Sequence, residues 1–195
     1  MPEVWSLAAG IGLLCVPQMA VLTLSAIFLH DVAHLGLVQT TAAMVLYQLG
    51  AATLRVWSGH WTDRRGNRIP FLRACGVIAA VAFAAMAALS FAALREPSWL
   101  GAMAPLLFTL LAAAGMVASC WHGVAFTELA TRAGPERVGT ALGLGNTFVF
   151  GSYFLTPLLL PMTLGKGGWP SAWGAVALCA LAAQPLLASA GRRAP

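Results

Sequence analysis

Charged residues are scarce in this sequence. Asp, Glu, Lys and Arg make up 9% of its 195 positions, whereas soluble domains carry roughly a quarter. Apolar residues make up 59%, the mean hydropathy is +0.81, and a soluble domain of this length could not bury so much apolar surface. The composition therefore excludes the ordinary soluble classes and indicates a membrane protein.

The net charge of +5 would suggest nucleic acid as a partner if the protein were soluble. Here the arginines lie at the ends of apolar runs, where basic residues set the orientation of a membrane protein. We therefore expect the chain to contact the lipid bilayer, and we expect no nucleic acid.

The sequence also lacks the usual signatures of catalytic and metal sites. It has no C-x-x-C pair, no phosphate loop, no paired-carboxylate site and no serine-nucleophile elbow. Its four cysteines lie within apolar runs and are interpreted as small buried hydrophobic residues: Cys15, Cys75, Cys120 and Cys179. No cofactor is expected.

One group of histidines could still bind a metal. His30 and His34 are four residues apart, so they share a helix face, and Asp31 lies between them. Only this one acidic residue is close, and the group falls at a helix end. We interpret the group as two solvated histidines and expect no metal site.

Six apolar segments can be drawn, each near the roughly 20 residues that cross the hydrocarbon core of a bilayer. They cover residues 4–29, 37–57, 74–94, 99–126, 138–163 and 171–190. The predicted fold is an all-α membrane protein, with six transmembrane helices in one domain over residues 1–195. Gly139 and Gly143 form a G-x-x-x-G step, which lets two helix backbones approach closely.

Basic residues are distributed unevenly between the two faces of such a bundle. Only Arg95 and Lys166 fall on one face. The other face, which holds both termini and the loops after the second and fourth segments, has nine: Arg55, Arg64, Arg65, Arg68, Arg73, Arg132, Arg137, Arg192 and Arg193. Because short arginine-rich loops stay in the cytoplasm, we expect both ends inside and the chain in the cell membrane.

The densest cluster of charge, residues 55–73, joins the second and third segments. Within it the order G-x-x-x-D-R-x-G-x-R is formed by Gly59, Asp63, Arg64, Gly66 and Arg68. This order between two apolar helices resembles the signature loop of the major facilitator superfamily of secondary transporters. Trp61 and Asn67 are mild departures from that signature.

A second stretch, from Glu128 through Pro135 and Arg137 to Gly143, is similar to the loop between the fourth and fifth helices in the same family. The resemblance implies one six-helix half of the transporter fold, and the lack of a linker after the last span suits the C-terminal half. It also implies a charge network that locks the cytoplasmic gate, formed by Asp63, Arg64, Arg68, Glu128 and Arg137. The alternative, that these are ordinary charged residues at helix ends, remains open.

Polar side chains at mid-depth in the spans are candidates for a substrate pathway, because an unsatisfied polar group in lipid is costly. The mid-depth candidates are Gln18, Tyr47, Gln48, Asn146 and Tyr153. His122, near the cytoplasmic end of the fourth segment, is a further candidate, because an imidazole there could relay protons or touch substrate. Each could instead bond a neighbouring helix. Arg55 is grouped with the arginines of the membrane face, so we expect no acidic or basic residue deep in the core of any span. A strongly charged substrate would then need its counter-charge from elsewhere.

We therefore expect a secondary transporter of a small solute, with or without a coupling ion, that needs an N-terminal half or self-association to complete its cavity. Two alternatives stay open. The chain could be a six-helix membrane subunit that stabilises a partner without transporting. It could also be a membrane-embedded hydrolase that uses Ser119 and His122, which are three residues apart and share a helix face.

Overall fold

The computed structural model describes residues 2–191, and every regular element in that range is helical. The helices are α1 (Pro2–Asp31), α2 (Leu37–Arg65), α3 (Arg68–Arg95), α4 (Leu100–Ser119), α5 (His122–Ala133) and α6 (Val138–Gly191), with short 3-10 turns at Pro97–Trp99 and Pro135–Arg137. Arg192 and Arg193, counted above for orientation, lie outside the described residues.

Five helical stretches within residues 2–191 are long and apolar enough to cross a membrane. They are α1, α2, α3, the stretch Ala102–Ala133 that joins α4 and α5, and the stretch Pro135–Gly191 that contains α6. The all-helical membrane fold is confirmed, but six separate spanning helices are not. The last two predicted segments instead form one helical run with a kink inside it.

The charged segments are more helical than the sequence suggested. α2 continues to Arg65 and α3 begins at Arg68, so the predicted signature loop is reduced to Gly66 and Asn67. Gly66 ends α2 with φ 62°, in the left-handed region that favours glycine, and its N–H donates to the Thr62 carbonyl over 2.8 Å. The second predicted loop is likewise shorter, because residues 128 and 132 lie within α5.

α1 lies at the centre of the bundle and packs against both parts of α6. A Cβ atom added at Gly12 would lie 3.0 Å from the Cβ atom of Phe148, and one added at Gly10 would lie 2.9 Å from Leu187 Cδ2. Residues 148 and 187 belong to the same helix, yet both contact α1 at nearly the same level. The chain must therefore reverse direction between them.

The reversal is at Gly168, whose φ of 67° and ψ of −164° are not helical. The Ser171 hydroxyl donates to the Thr163 carbonyl across the turn over 2.7 Å. The predicted turn at residues 165–170 contains this position. Below the turn, Trp169 and Trp173 pack on Phe28 of α1, with ring centroids 5.1 and 5.2 Å from it.

The predicted close approach at Gly139 and Gly143 is not found within the described chain. A Cβ atom at either position would meet no atom within 4 Å, and the same holds for Gly151. Of the glycines at the start of α6, Gly145 is the one that packs tightly, since a Cβ atom added there would lie 2.7 Å from Leu129 Cδ1. This face of α6 is therefore open.

All four cysteines are free thiols, and Cys15, Cys75 and Cys120 are buried while Cys179 is partly buried. The Cys75 and Cys120 sulfur atoms lie 3.7 Å apart, where α3 passes the end of α4. The cysteines thus pack as small apolar groups.

Replacing Gly12 with valine should destabilise the bundle, because the added carbons would meet the Phe148 backbone, whose carbonyl oxygen is 3.2 Å from the Cβ position. Overpacking of this kind costs about 1–3 kcal/mol. Thermal unfolding of the detergent-purified chain measures the effect. Gly174→Val is the matched control, since a Cβ atom there meets nothing within 4 Å. Equal melting temperatures for the two variants would contradict the packing described here.

Candidate functional site

The α4–α5 junction interrupts a membrane-spanning stretch near its middle. Cys120 and Trp121 separate the two helices, and in a bilayer the carbonyls at such an interruption must find donors within the protein. Three of them accept side-chain hydrogen bonds: Ala118 from Trp121 Nε1 (2.7 Å), Ser119 from Arg55 Nε (2.8 Å) and Cys120 from Ser58 Oγ (2.7 Å). The junction therefore brings together two polar side chains of α2 and the indole of Trp121.

Arg55 is placed differently from the expectation of a membrane-face arginine. It lies ten residues before Arg65, the last residue of α2, or about 15 Å along the helix axis. Arg55 therefore lies within the helical stretch Leu37–Arg65, which is long and apolar enough to cross a membrane, and not at the end of that stretch. The helix continues past the apolar run into charged sequence.

Tyr47 and Ser119 form a buried pair beside Arg55, with Tyr47 Oη 2.9 Å from Ser119 Oγ. Both residues are almost fully buried. The Ser119 hydroxyl is thus bonded to a tyrosine, and no hydrogen bond joins it to His122 within the described residues. The geometry does not form the nucleophile–base pair that the hydrolase alternative needs.

Three of the predicted pathway residues meet at Tyr153. Its hydroxyl oxygen lies 3.5 Å from Gln18 Oε1 and 3.5 Å from His122 Nε2, so α1, α5 and α6 each contribute one group. We call Gln18, His122 and Tyr153 the polar cluster. The His122 ring stacks on Trp121 with centroids 4.1 Å apart, and its Nδ1 is buried without a hydrogen-bond partner among the described residues.

The other candidates fall elsewhere. Gln48 and Asn146 are exposed on α2 and α6, and no described residue hydrogen-bonds to their side chains. Tyr47 hydrogen-bonds to Ser119 and is not part of the polar cluster. A sequence pattern gives the position of a residue along a helix but not the side of the helix that it faces. For this reason only three of the six candidates meet in the polar cluster.

A second constellation lies at the end of the bundle that holds Arg64, Arg65 and Arg68, called here the arginine-rich end. Its ion pairs run Asp63–Arg68 (2.8 Å), Arg68–Glu128 (3.7 Å), Glu128–Arg132 (2.7 Å) and Arg132–Glu3 (2.9 Å). We call these five residues the charge network. It connects α1, α2, α3 and α5 in one continuous chain of opposite charges.

Arg132 is the member with the most distant partners. Besides Glu128 and Glu3, it donates to the Ala190 carbonyl near the end of α6. Its side chain is 18% exposed and that of Glu128 is 12% exposed, so both charges are largely shielded from water. Through these contacts Arg132, which belongs to α5, binds both the start of α1 and the end of α6.

Two residues predicted for this network are placed outside it. Arg64 borders a small cavity of about 270 Å³ with Trp57, His60, Trp61 and Arg65. Arg137 borders one of about 130 Å³ with Val4 and Trp5. Within residues 2–191 neither arginine forms an ion pair. Gly59 also has open space at its Cβ position.

Sequence reasoning missed Glu3 and Arg132 as partners of the predicted residues. Glu128 and Arg132 are four apart on one helix, and this spacing could have indicated their ion pair. Glu3 carried no such signal, because it is 129 residues from Arg132 in the chain.

Trp61, which departs from the signature, has a structural explanation. Its ring stacks on Trp57 with centroids 5.8 Å apart and contacts Phe71 of α3 at 5.9 Å. The guanidinium of Arg65 lies 4.8 Å from its ring centroid, a favourable cation–π contact. An aromatic side chain at this position thus packs α2 against α3 at the corner that Gly66 turns.

Comparison with known proteins identifies related sequences. The sequence model of the Major Facilitator Superfamily matches residues 12–193. The uncharacterized MFS-type transporter Rv2994 of Mycobacterium tuberculosis strain H37Rv is 29% identical over 183 residues, and MT3072 of strain CDC 1551 is 28% identical over the same length. These alignments cover 94% of this chain but 39% of each relative. No solved structure matches the chain.

Replacing Glu128 with glutamine should destabilise the arginine-rich end, because it leaves the largely shielded Arg68 and Arg132 with one carboxylate partner fewer each. Loss of a partner for a shielded charged group costs about 1–3 kcal/mol or more. The melting temperature of the purified chain should fall, and by less at high salt. Glu136→Gln, in the exposed turn before α6, is the control and should change little. A melting temperature unaltered by Glu128→Gln would show that the network contributes no stability.

Proposed function

Because this chain belongs to the major facilitator superfamily, we propose that it forms six membrane crossings of one transporter half and moves a small solute together with a second half. The observation that carries the proposal is the convergence of Gln18 from the middle of α1, His122 from the start of α5 and Tyr153 from the first arm of α6. Transporters of this architecture bind their solute near the bilayer midplane, at the interface between two repeats.

The length of α6 supports six crossings. Its 54 residues would extend about 81 Å as one straight helix, far more than the roughly 30 Å of a hydrocarbon core. The reversal at Gly168 divides it into two arms that both return along α1. Counted as two crossings, α6 brings both ends of the chain to the arginine-rich end, which we assign to the cytoplasm because basic residues concentrate there.

The open face of α6 supports the need for a second half. A Cβ atom added at Gly139, Gly143 or Gly151 would meet no atom of the described residues within 4 Å, and Phe150 and Phe154 of the same helix are 64% and 68% exposed. Small residues at an interface let helix backbones approach in membranes. This face is therefore suited to pack against the helices of a partner half. The chain spans 39% of the length of the curated relatives it matches.

The charge network supports a gating role at the cytoplasmic end. Its members come from four helices, and such ion pairs hold only while those helices stay together. A link of this kind biases a conformational equilibrium when it exists in one state and not in the other. Asp63 and Arg68 lie at the α2–α3 corner, at the end of the bundle that we assign to the cytoplasm. In this proposal the network stabilises the state with a closed cytoplasmic side.

Cysteine labelling tests the crossings and their orientation. In a cysteine-free background, Arg95→Cys and Lys166→Cys should react with an impermeant maleimide from outside, and Arg64→Cys only from inside. All three side chains are exposed. Labelling of Lys166→Cys from the cytoplasmic side would contradict two crossings in α6.

Solute uptake tests the function itself. Proteoliposomes containing this chain and a co-expressed complementary six-helix half should accumulate solute, whereas liposomes with this chain alone should not. Stable association without uptake of any tested solute would favour a non-transporting subunit.

Asp63→Asn keeps the size of the side chain but removes the charge that Arg68 binds at 2.8 Å. In the two-half protein it should raise the cytoplasmic labelling rate of Asn146→Cys severalfold and lower turnover, because the closed state loses an ion pair. Asp63→Glu should fall between wild type and Asp63→Asn. Asp31→Asn is the control, since Asp31 pairs with His30 at the other end of the bundle. If Asp63→Asn shows wild-type labelling and turnover, the charge network does not stabilise the closed state and the gating proposal is wrong.

A further inference from the structure

We infer that the solute is an oxyanion, with a carboxylate, nitrate or phosphate group that binds the guanidinium of Arg55; this inference rests on the proposed transport function. Arg55 is exposed on α2 beside the polar cluster, and the Tyr47–Ser119 pair lies next to it. Arg55 lies within the helical stretch Leu37–Arg65 that is long and apolar enough to cross a membrane, about 15 Å from the end of that stretch.

The charge of Arg55 is not compensated within the described residues. Four of the six acidic residues of the chain already have basic partners: Glu3, Asp31, Asp63 and Glu128. The other two, Glu96 and Glu136, lie in turns at the two ends of the bundle. A charged side chain inside a membrane segment is costly, and such residues mark ion and substrate pathways.

The structural role of Arg55 does not require a charge. Its Nε donates to the Ser119 carbonyl, but the adjacent carbonyls of Ala118 and Cys120 are satisfied by a neutral indole and a neutral hydroxyl. A neutral hydrogen-bond donor could therefore have satisfied the Ser119 carbonyl equally well. The positive charge needs another explanation, and an anionic ligand supplies one.

The guanidinium has the geometry to bind such a ligand. With Nε held by Ser119, the fork of donors is fixed in place, and the two Nη atoms have no hydrogen-bond partner among residues 2–191. Paired Nη donors match two oxygens of a carboxylate, nitrate or phosphate group. A lysine would present a single rotating point charge, so the arginine fork favours a planar or bidentate oxyanion over a chloride-like ion.

Groups around Arg55 complete a site for the rest of an anion. Arg55 contacts the carbonyl of Ser119, which is three residues before His122 in the chain, and His122 lies 3.5 Å from Tyr153. Tyr153 Oη can bond a polar group of the solute, and Gln18 and His122 each have a side-chain atom 3.5 Å from it. No carboxylate lies among these side chains, so nothing in the described chain opposes an anion there.

A binding measurement tests the anion assignment on the chain itself. Melting temperatures of the detergent-purified full chain are compared with sodium acetate, succinate, nitrate, phosphate and, as a neutral probe, glucose, at constant ionic strength set with sodium chloride. At least one oxyanion should raise the melting temperature by several degrees. Arg55→Gln should abolish that shift and Arg55→Lys should retain part of it. Arg73→Gln, at an exposed arginine of α3 without an ion pair in the described chain, should leave it unchanged. No stabilisation by any oxyanion beyond that of glucose, or an equal shift in Arg55→Gln, would overturn the inference.

Uptake by the two-half protein separates this inference from the function on which it rests. If an oxyanion is accumulated and Arg55→Gln lowers its uptake at least tenfold, both stand. If a neutral or cationic solute is accumulated and Arg55→Gln transports it as well as wild type, the anion assignment is wrong while transport is supported. If nothing is accumulated but Arg55-dependent binding persists, the site is an anion site and the transport proposal fails.

Discussion

A backbone carbonyl inside a bilayer has no water to bond with, and this constraint organises the middle of the bundle. Where α4 gives way to α5, the carbonyls of residues 118–120 are each taken by a side chain, two of them from α2. This requirement fixes Arg55 and Ser58 of α2 against the junction. It also holds the helix that carries Tyr47 beside Ser119. The polar groups of the candidate site are in place because an interrupted helix needed donors.

The arginine-rich end solves a different problem, that of joining four helices through charged side chains. Several of these side chains are partly shielded from water. Attraction between partly shielded charges is stronger than between fully exposed ones, and it is screened less by salt. The network therefore connects four helices through only a few ion pairs.

Much of the architecture could be predicted because lipid imposes simple rules on sequence. The apolar runs, the turn near Gly168 and the membrane class all follow from length and composition. The helix ends were predicted less well, since α2 and α3 extend past their apolar runs into charged sequence. Glu3 could not be recognised as a partner of Arg132, because nothing in a local pattern specifies a contact 129 residues away. Arg55 was missed for a related reason: whether an arginine lies at a surface or inside depends on where its neighbours place the helix.

The packing of α1 against both arms of α6 has a consequence for the order of events during synthesis. α1 is the most deeply buried of the spanning helices, yet the surfaces that bury Gly10 and Gly12 include Leu187 and Phe148. At about 5–20 residues per second, the ribosome needs roughly 9–35 s to add the 177 residues from Ile11 through Leu187. Throughout that interval the first helix made must remain in lipid or with a helper protein. A ribosome that stalls before residue 138 leaves a chain whose central helix lacks most of its packing surface.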